Sequence, residues 1–147
     1  MKKEFKKLTI MSKTYPLFIS HSWTYEEHYE SLESRLNTRP GFYWRNYSVP
    51  KDDPIHNAPN KDLLYAAIRR QMAPCSVIII LAGVYSTYST WIQREIQIAN
   101  KEFANPKPIL AIQTLGAQRI SSVVSENANL IVKWHIESVI DGIKQLT

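Results

Sequence analysis

The sequence predicts an α/β fold in which helices cover both faces of a parallel β-sheet. Apolar segments of strand length alternate along the chain with segments whose apolar residues recur at helical spacing. Residues 75–82 are apolar almost without interruption, as is typical of a strand buried on both faces. Five strands, each followed by a helix or a long loop, favour right-handed parallel crossovers. We therefore expect a flavodoxin-like, three-layer sheet of five strands in the order 2-1-3-4-5.

Each element follows from a local pattern. The first strand is predicted at residues 15–20, and Thr24 with Glu27 forms a capping box at the start of the first helix. Residues 42–47 predict the second strand. The later elements are, in chain order, a helix capped by Asn60, a central strand at 75–82, a helix capped by Ser89 or Thr90, a strand at 109–113, a loop at 115–129 with one helical turn, a strand at 130–134 and a last helix from Val139 to Leu146. Three prolines in residues 48–59 exclude regular structure there, so we expect a mobile loop that acts as a lid or a contact surface.

Charge and composition limit the partners of the chain. The net charge is +5, and much of it lies in Lys2, Lys3, Lys6, Lys7 and Lys13. Residues 1–12 are therefore predicted to be a basic, flexible extension, and residues 13–147 a single domain. Because the remaining body is close to neutral, no nucleic-acid partner is expected. No apolar run approaches the roughly 18 residues that span a bilayer. The single cysteine adds to the expectation of a cytoplasmic protein without a membrane partner.

The predicted topology places a ligand crevice between the first and third strands, at their carboxyl ends. Residues 20–23 and 83–90 would form its rim. Glu95 follows the second of these loops and comes four residues after Trp91, so both should share one face of a helix. The alternative is an exposed glutamate near a helix start, where the helix dipole favours a carboxylate. The pattern alone leaves both interpretations open.

The crevice would offer hydroxyls, aromatic rings and one carboxylate. A single glutamate suits cleavage of a glycosidic bond at an activated ribose, where the enzyme mainly has to stabilise an oxocarbenium-like centre. Neither a metal nor another cofactor is expected, since the histidines have no metal-ligand spacing and there is no glycine-rich phosphate loop. The candidate substrate-binding residues are Ser20, His21, Ser22, Trp23, Tyr47, Ser86, Tyr88 and Trp91, and Glu95 is the candidate catalytic residue.

Five segments together resemble the TIR-like proteins of the Thoeris anti-phage system, of the ThsB type. They are residues 15–23 (YPLFISHSW), 46–50 (NYSVP), 53–54 (DP), 74–76 (PCS) and 91–95 (WIQRE). The resemblance implies an enzyme that takes NAD as its substrate, cleaves the nicotinamide–ribose bond and makes a cyclic ADP-ribose isomer. That diffusible nucleotide would activate an effector with a sirtuin-like NADase domain. It further implies a phage-derived trigger, contacts with other TIR-like chains, including a possible homo-oligomer, and Glu95 as the catalytic glutamate.

A function of a different class stays open beside this one. The chain could be a non-catalytic TIR-like scaffold that acts by protein–protein interaction and retains Glu95 only as a carboxylate near a helix start. Glu95, its spacing from Trp91 and the hydroxyl-rich loop before it favour the enzyme. Release of nicotinamide from NAD distinguishes the two functions.

Overall fold

A computed structural model describes residues 13–20, 26–48, 61–83, 90–114 and 120–147, apart from the side chains at positions 26, 61, 90 and 91. Five strands within these residues form one sheet, in which all neighbouring strands are parallel. Their order is β2-β1-β3-β4-β5, which confirms the predicted topology. The strands are β1 Thr14–Ser20, β2 Tyr43–Asn46, β3 Val77–Ala82, β4 Ile109–Gln113 and β5 Leu130–Lys133.

Strand β3 is the centre of the sheet, as predicted. It pairs with β1 through the register Leu17 to Val77 and with β4 through Ile78 to Ile109. Every residue of β3 is buried. Its run of β-branched side chains fits this position, because both faces of the strand are covered by helices.

The five helices divide between the two faces of the sheet. They are α1 Glu26–Thr38, α2 Lys61–Met72, α3 Thr90–Lys101, α4 Ser122–Asn127 and α5 Ile136–Leu146. Helices α1 and α5 pack on one face through Leu32, Leu36 and Ile140. Helices α2, α3 and α4 pack on the other, which we call the α2–α4 face. Its core contains Phe18, Ile78, Ile80, Ala82, Ile109 and Ala111 from the strands and Leu64, Ile68, Ile92, Ile96, Ala99 and Val124 from the helices.

The boundaries of several elements differ from those predicted, most clearly at the start of β3 and at the last helix, which begins at Ile136 and not at Val139. Strand β3 begins at Val77, not at Cys75, because Cys75 N donates a hydrogen bond of 2.9 Å to Met72 O and still belongs to the turn after α2. The helical turn expected between β4 and β5 is α4. The extension at residues 1–12, the caps at Thr24, Asn60 and Ser89 and the loop at 49–59 lie outside the described residues. In the part of the chain that is described, no helix has both the length and the apolar character to cross a membrane.

Candidate active site

Glu95 is a buried carboxyl group on helix α3. It comes three residues after Ile92 and four before Ala99, and both of these pack on the sheet. This spacing places Glu95 within the buried stripe of the helix. Its side chain is only 7 % exposed, and it lies beyond the first turn of α3. The interpretation of Glu95 as an exposed carboxylate near a helix start is therefore wrong, because packing against the sheet removes its side chain from water.

Ser20 lies opposite this helix at the carboxyl end of β1. Alternation along the strand puts its side chain on the same face as Phe18, which belongs to the core of the α2–α4 face. Ser20 is 1 % exposed, and its backbone is paired in register with Ile80 of the central strand. The Ser20 hydroxyl interacts with the Glu95 carboxyl, although not with the geometry of a regular hydrogen bond. The structure thus brings these two predicted site residues together.

The ionisation of Glu95 is strongly perturbed. Burial raises the pKa of its carboxyl from 4.5 to about 8, and the Ser20 hydroxyl offsets part of this rise. In the resting chain Glu95 is accordingly held as the neutral acid at pH 7. Among the residues that the structure describes, neither Ser20 Oγ nor Glu95 Oε2 has a hydrogen-bond partner.

Such a pair is costly to a fold. Leaving a buried polar group without a partner costs about 1–3 kcal/mol. Unsatisfied groups and strongly shifted pKa values are concentrated at functional sites. The arrangement therefore favours a functional carboxyl over one that is kept for stability.

The chain that follows β2 brings two further residues to this edge of the sheet. Tyr47 N donates to Leu17 O at 2.9 Å, and Ile19 N donates to Ser48 Oγ at 2.9 Å. The partly buried Tyr47 ring packs against the core of the α2–α4 face, on the same side of the sheet as Ser20 and Glu95. Ser48 was not predicted as a site residue. The sequence feature that could have indicated it is the Asn46-x-Ser48 pattern, which is typical of an Asx-type turn. In the structure, Ser48 N donates to Asn46 Oδ1 at 2.9 Å.

Gly83 and Thr114 close the carboxyl ends of β3 and β4. A Cβ atom at Gly83 would lie 2.7 Å from Thr114 Oγ1, so any larger residue at this position would have to displace the Thr114 hydroxyl. Thr114 is buried, and its N–H donates to Ala82 O at 3.2 Å. The sequence indicated Gly83 only as the start of a loop and gave no role to Thr114.

The remaining predicted site residues lie outside the described part of the structure. These are His21, Ser22, Trp23, Ser86 and Tyr88, together with the side chain of Trp91, whose backbone belongs to α3. The predicted crevice walls at 21–23 and 84–89 therefore stay predictions. Within the described residues, no group of three or more His, Cys, Asp or Glu side chains could hold a metal ion.

Comparison with known families gives one match, the model of the TIR-like domain of Thoeris protein ThsB, over residues 18–119. The chain belongs to this family. The match covers most of the sheet and includes Ser20, Tyr47 and Glu95. A search of curated proteins found no match. As a ThsB-type TIR-like protein, the chain belongs to an anti-phage defence system, and its parallel sheet with order 2-1-3-4-5 is consistent with the TIR fold.

Proposed function

We propose that this TIR-like protein is an enzyme that cleaves the nicotinamide–ribose bond of NAD and makes a cyclic ADP-ribose isomer. The observation that carries the proposal is the buried Glu95 carboxyl, which faces the Ser20 hydroxyl at the carboxyl end of β1. Parallel α/β sheets bind their ligands at this edge, where the strand order reverses. The chain belongs to the Thoeris ThsB family, and the resemblance noted above implies that the cyclic product acts as a signal for a sirtuin-like effector.

The chemistry needs one carboxylate in a site of low dielectric. Nicotinamide leaves as a neutral molecule with the electron pair of the bond to ribose C1′, so positive charge develops at that carbon. The ionised Glu95 stabilises this charge, and its attraction is stronger in a buried site than in water. A nucleophilic atom of the same ADP-ribose then bonds to C1′ and loses a proton, which closes the ring. If water attacks instead, the product is ADP-ribose.

The resting protonation of Glu95 fits a site that becomes active on binding its substrate. The nicotinamide ring of NAD is cationic, and a positive charge near a carboxyl lowers its pKa. Binding would therefore drive the proton off Glu95 and produce the carboxylate that the reaction needs. Without the substrate, the neutral form of Glu95 costs less free energy to bury on the apolar α2–α4 face than the charged form does.

Nicotinamide release tests this function. The purified chain is incubated with NAD and with an extract of phage-infected cells as the source of the trigger. The products are then separated, and their masses are measured by mass spectrometry. We expect nicotinamide together with a product that equals NAD minus nicotinamide. Replacing Glu95 by glutamine should reduce the rate by about 10² or more. Glu126→Gln, at an exposed glutamate on α4, is the matched control and should keep the parent rate. Equal rates for the parent and Glu95→Gln would contradict the proposal.

The scaffold remains the second candidate. The family match is compatible with it, because the family description names a TIR-like domain and no activity. It predicts that neither the parent chain nor Glu95→Gln releases nicotinamide under any trigger, and that the two protect cells against phage equally well.

A further inference from the structure

The backbone of Ser20 is held in place more firmly than the backbone of a loop residue would be. The Leu17–Ser20 segment pairs with Val77–Ile80 of the central strand on one side. On the other side, Ile19 N is bonded to Ser48 Oγ. The Ser20 backbone therefore cannot shift without disturbing the middle of the sheet. Its hydroxyl can find a partner only by rotation about χ1 and about the Cβ–Oγ bond.

Among the described residues, Ser20 is the polar residue that interacts with the Glu95 carboxyl and can stabilise its negative charge. The strand side chains on the same face of the sheet, among them Phe18, Ile80 and Ala82, are apolar and buried. Glu95 forms no ion pair with any residue of the described ranges. Apart from Glu95, the helices of the α2–α4 face carry six described charged side chains, and none of them contributes to the shift of the Glu95 pKa. They are Asp62, Arg69, Arg70, Arg94, Lys101 and Glu126.

We propose that Ser20 is a positioning residue, whose hydroxyl donates a hydrogen bond to the Glu95 carboxylate once that group has ionised and so directs its charge towards the ribose carbon. This inference rests on the proposed function, but in it Ser20 orients the Glu95 carboxylate and does not bind the substrate. Ser20 is the more deeply buried of the two, at 1 % against 7 % exposure. Its hydroxyl has no other described partner to leave, so the new bond costs no existing one.

The ionised state gives this bond its strength. A hydrogen bond to a charged acceptor is roughly twice as strong as one between neutral groups, so it forms when the proton leaves Glu95. The Ser20 hydroxyl already lowers the pKa of Glu95 in the resting chain, which is the sign expected for a group that favours the carboxylate. Removing the hydroxyl should make Glu95 harder to ionise.

The test measures the ionisation constant of Glu95 directly, without NAD. Infrared spectra of the chain with isotopically labelled glutamate are recorded against pH, and subtraction of the Glu95→Gln spectrum isolates the Glu95 carboxyl band. Ser20→Ala should lower the ionisation constant roughly tenfold, and Ser20→Thr, which keeps a hydroxyl, should restore it. Ser121→Ala is the matched control, since it removes another serine hydroxyl that is buried without a described partner but does not contribute to the Glu95 pKa. The control should leave the constant within about twofold of the parent value.

Two results would overturn the role of Ser20. One is an unchanged ionisation constant in Ser20→Ala, and the other is an equal shift in Ser121→Ala. Should Ser20→Ala fail to fold, Ser20→Cys takes its place, because a thiol is a weaker donor and must shift the constant in the same direction.

Nicotinamide release from the same variants separates this inference from the proposed function. In an active enzyme, Ser20→Ala should lower kcat about tenfold with little change in KM and move the rising part of the pH profile to higher pH. A parent chain that behaves like Glu95→Gln under triggering conditions would contradict the enzyme, whereas the infrared titration alone decides whether Ser20 acts on Glu95.

Discussion

Replacing Glu95 by glutamine should change the pH dependence of stability as well as activity. The pKa of Glu95 is about 8 in the folded chain, against an ordinary value of 4.5 that applies when the chain unfolds. Between these two values the folded state binds more protons than the unfolded state. The free energy of unfolding of the parent chain therefore falls as the pH rises through this window. Glutamine has no proton to lose, so the variant lacks this contribution.

The size of the effect follows from the width of the window. Each pH unit above 4.5 costs the folded parent about 1.4 kcal/mol, until the pH reaches about 8. The cost is about 1 kcal/mol at pH 5 and about 3 kcal/mol at pH 7. Relative to the parent, Glu95→Gln should thus gain about 2 kcal/mol or more in going from pH 5 to pH 7. This is opposite in sign to the loss of about 0.3–1 kcal/mol expected for a carboxylate that is stabilised by a helix dipole.

Urea unfolding at pH 5 and pH 7 measures the difference between variant and parent. A change in packing caused by the amide is the same at both pH values, so it cancels in the comparison. The exposed Glu126→Gln control should show a difference near zero at both values. A difference between Glu95→Gln and the parent that does not increase from pH 5 to pH 7 would refute a neutral, buried Glu95.

Three further substitutions or reactions probe the edge of the sheet and its core. Ser48→Ala leaves Ile19 N–H without its partner and should lower the free energy of unfolding by about 1–3 kcal/mol in urea titrations. Gly83→Ala places a Cβ 2.7 Å from Thr114 Oγ1, so the Thr114 hydroxyl has to move, and the free energy of unfolding should fall by roughly 1–3 kcal/mol in the same titrations. Burial raises the pKa of the Cys75 thiol to about 12, so its alkylation by iodoacetamide at pH 8 should proceed only as fast as the chain opens; rapid alkylation of the folded chain would contradict this.

The fold was largely predictable because β3 is exceptional in composition. A continuous apolar run must be covered on both faces, and a chain that alternates strands and helices has few other ways to cover it. The ends of the elements were less predictable, since they depend on turns. Cys75 continues the apolar pattern of β3, but its N–H is already used by Met72 O, and hydropathy does not show this.

For the candidate site, the sequence predicted the place of Glu95 in the fold but not its environment. Topology and spacing predicted that Glu95 follows the loop after the central strand and lies on a helix, and the structure places it on α3. How far α3 turns Glu95 towards the sheet is decided by packing with α2 and α4, which a linear pattern does not contain. The contact of Ser48 with Ile19 joins residues 29 positions apart and likewise depends on the assembled sheet.

The energetic cost of Glu95 bears on the choice between an enzyme and a scaffold. A scaffold would be more stable with glutamine or an apolar residue at this position, because the carboxyl disfavours folding by about 3 kcal/mol at pH 7 and satisfies no described hydrogen bond through Oε2. Typical domains have only about 5–15 kcal/mol of stability, so this is a large share to give up. An enzyme regains the cost when a cationic substrate ionises the group and the buried charge acts on the transition state. The burial that makes Glu95 a poor structural residue is therefore what would make it a strong electrostatic one in the proposed enzyme.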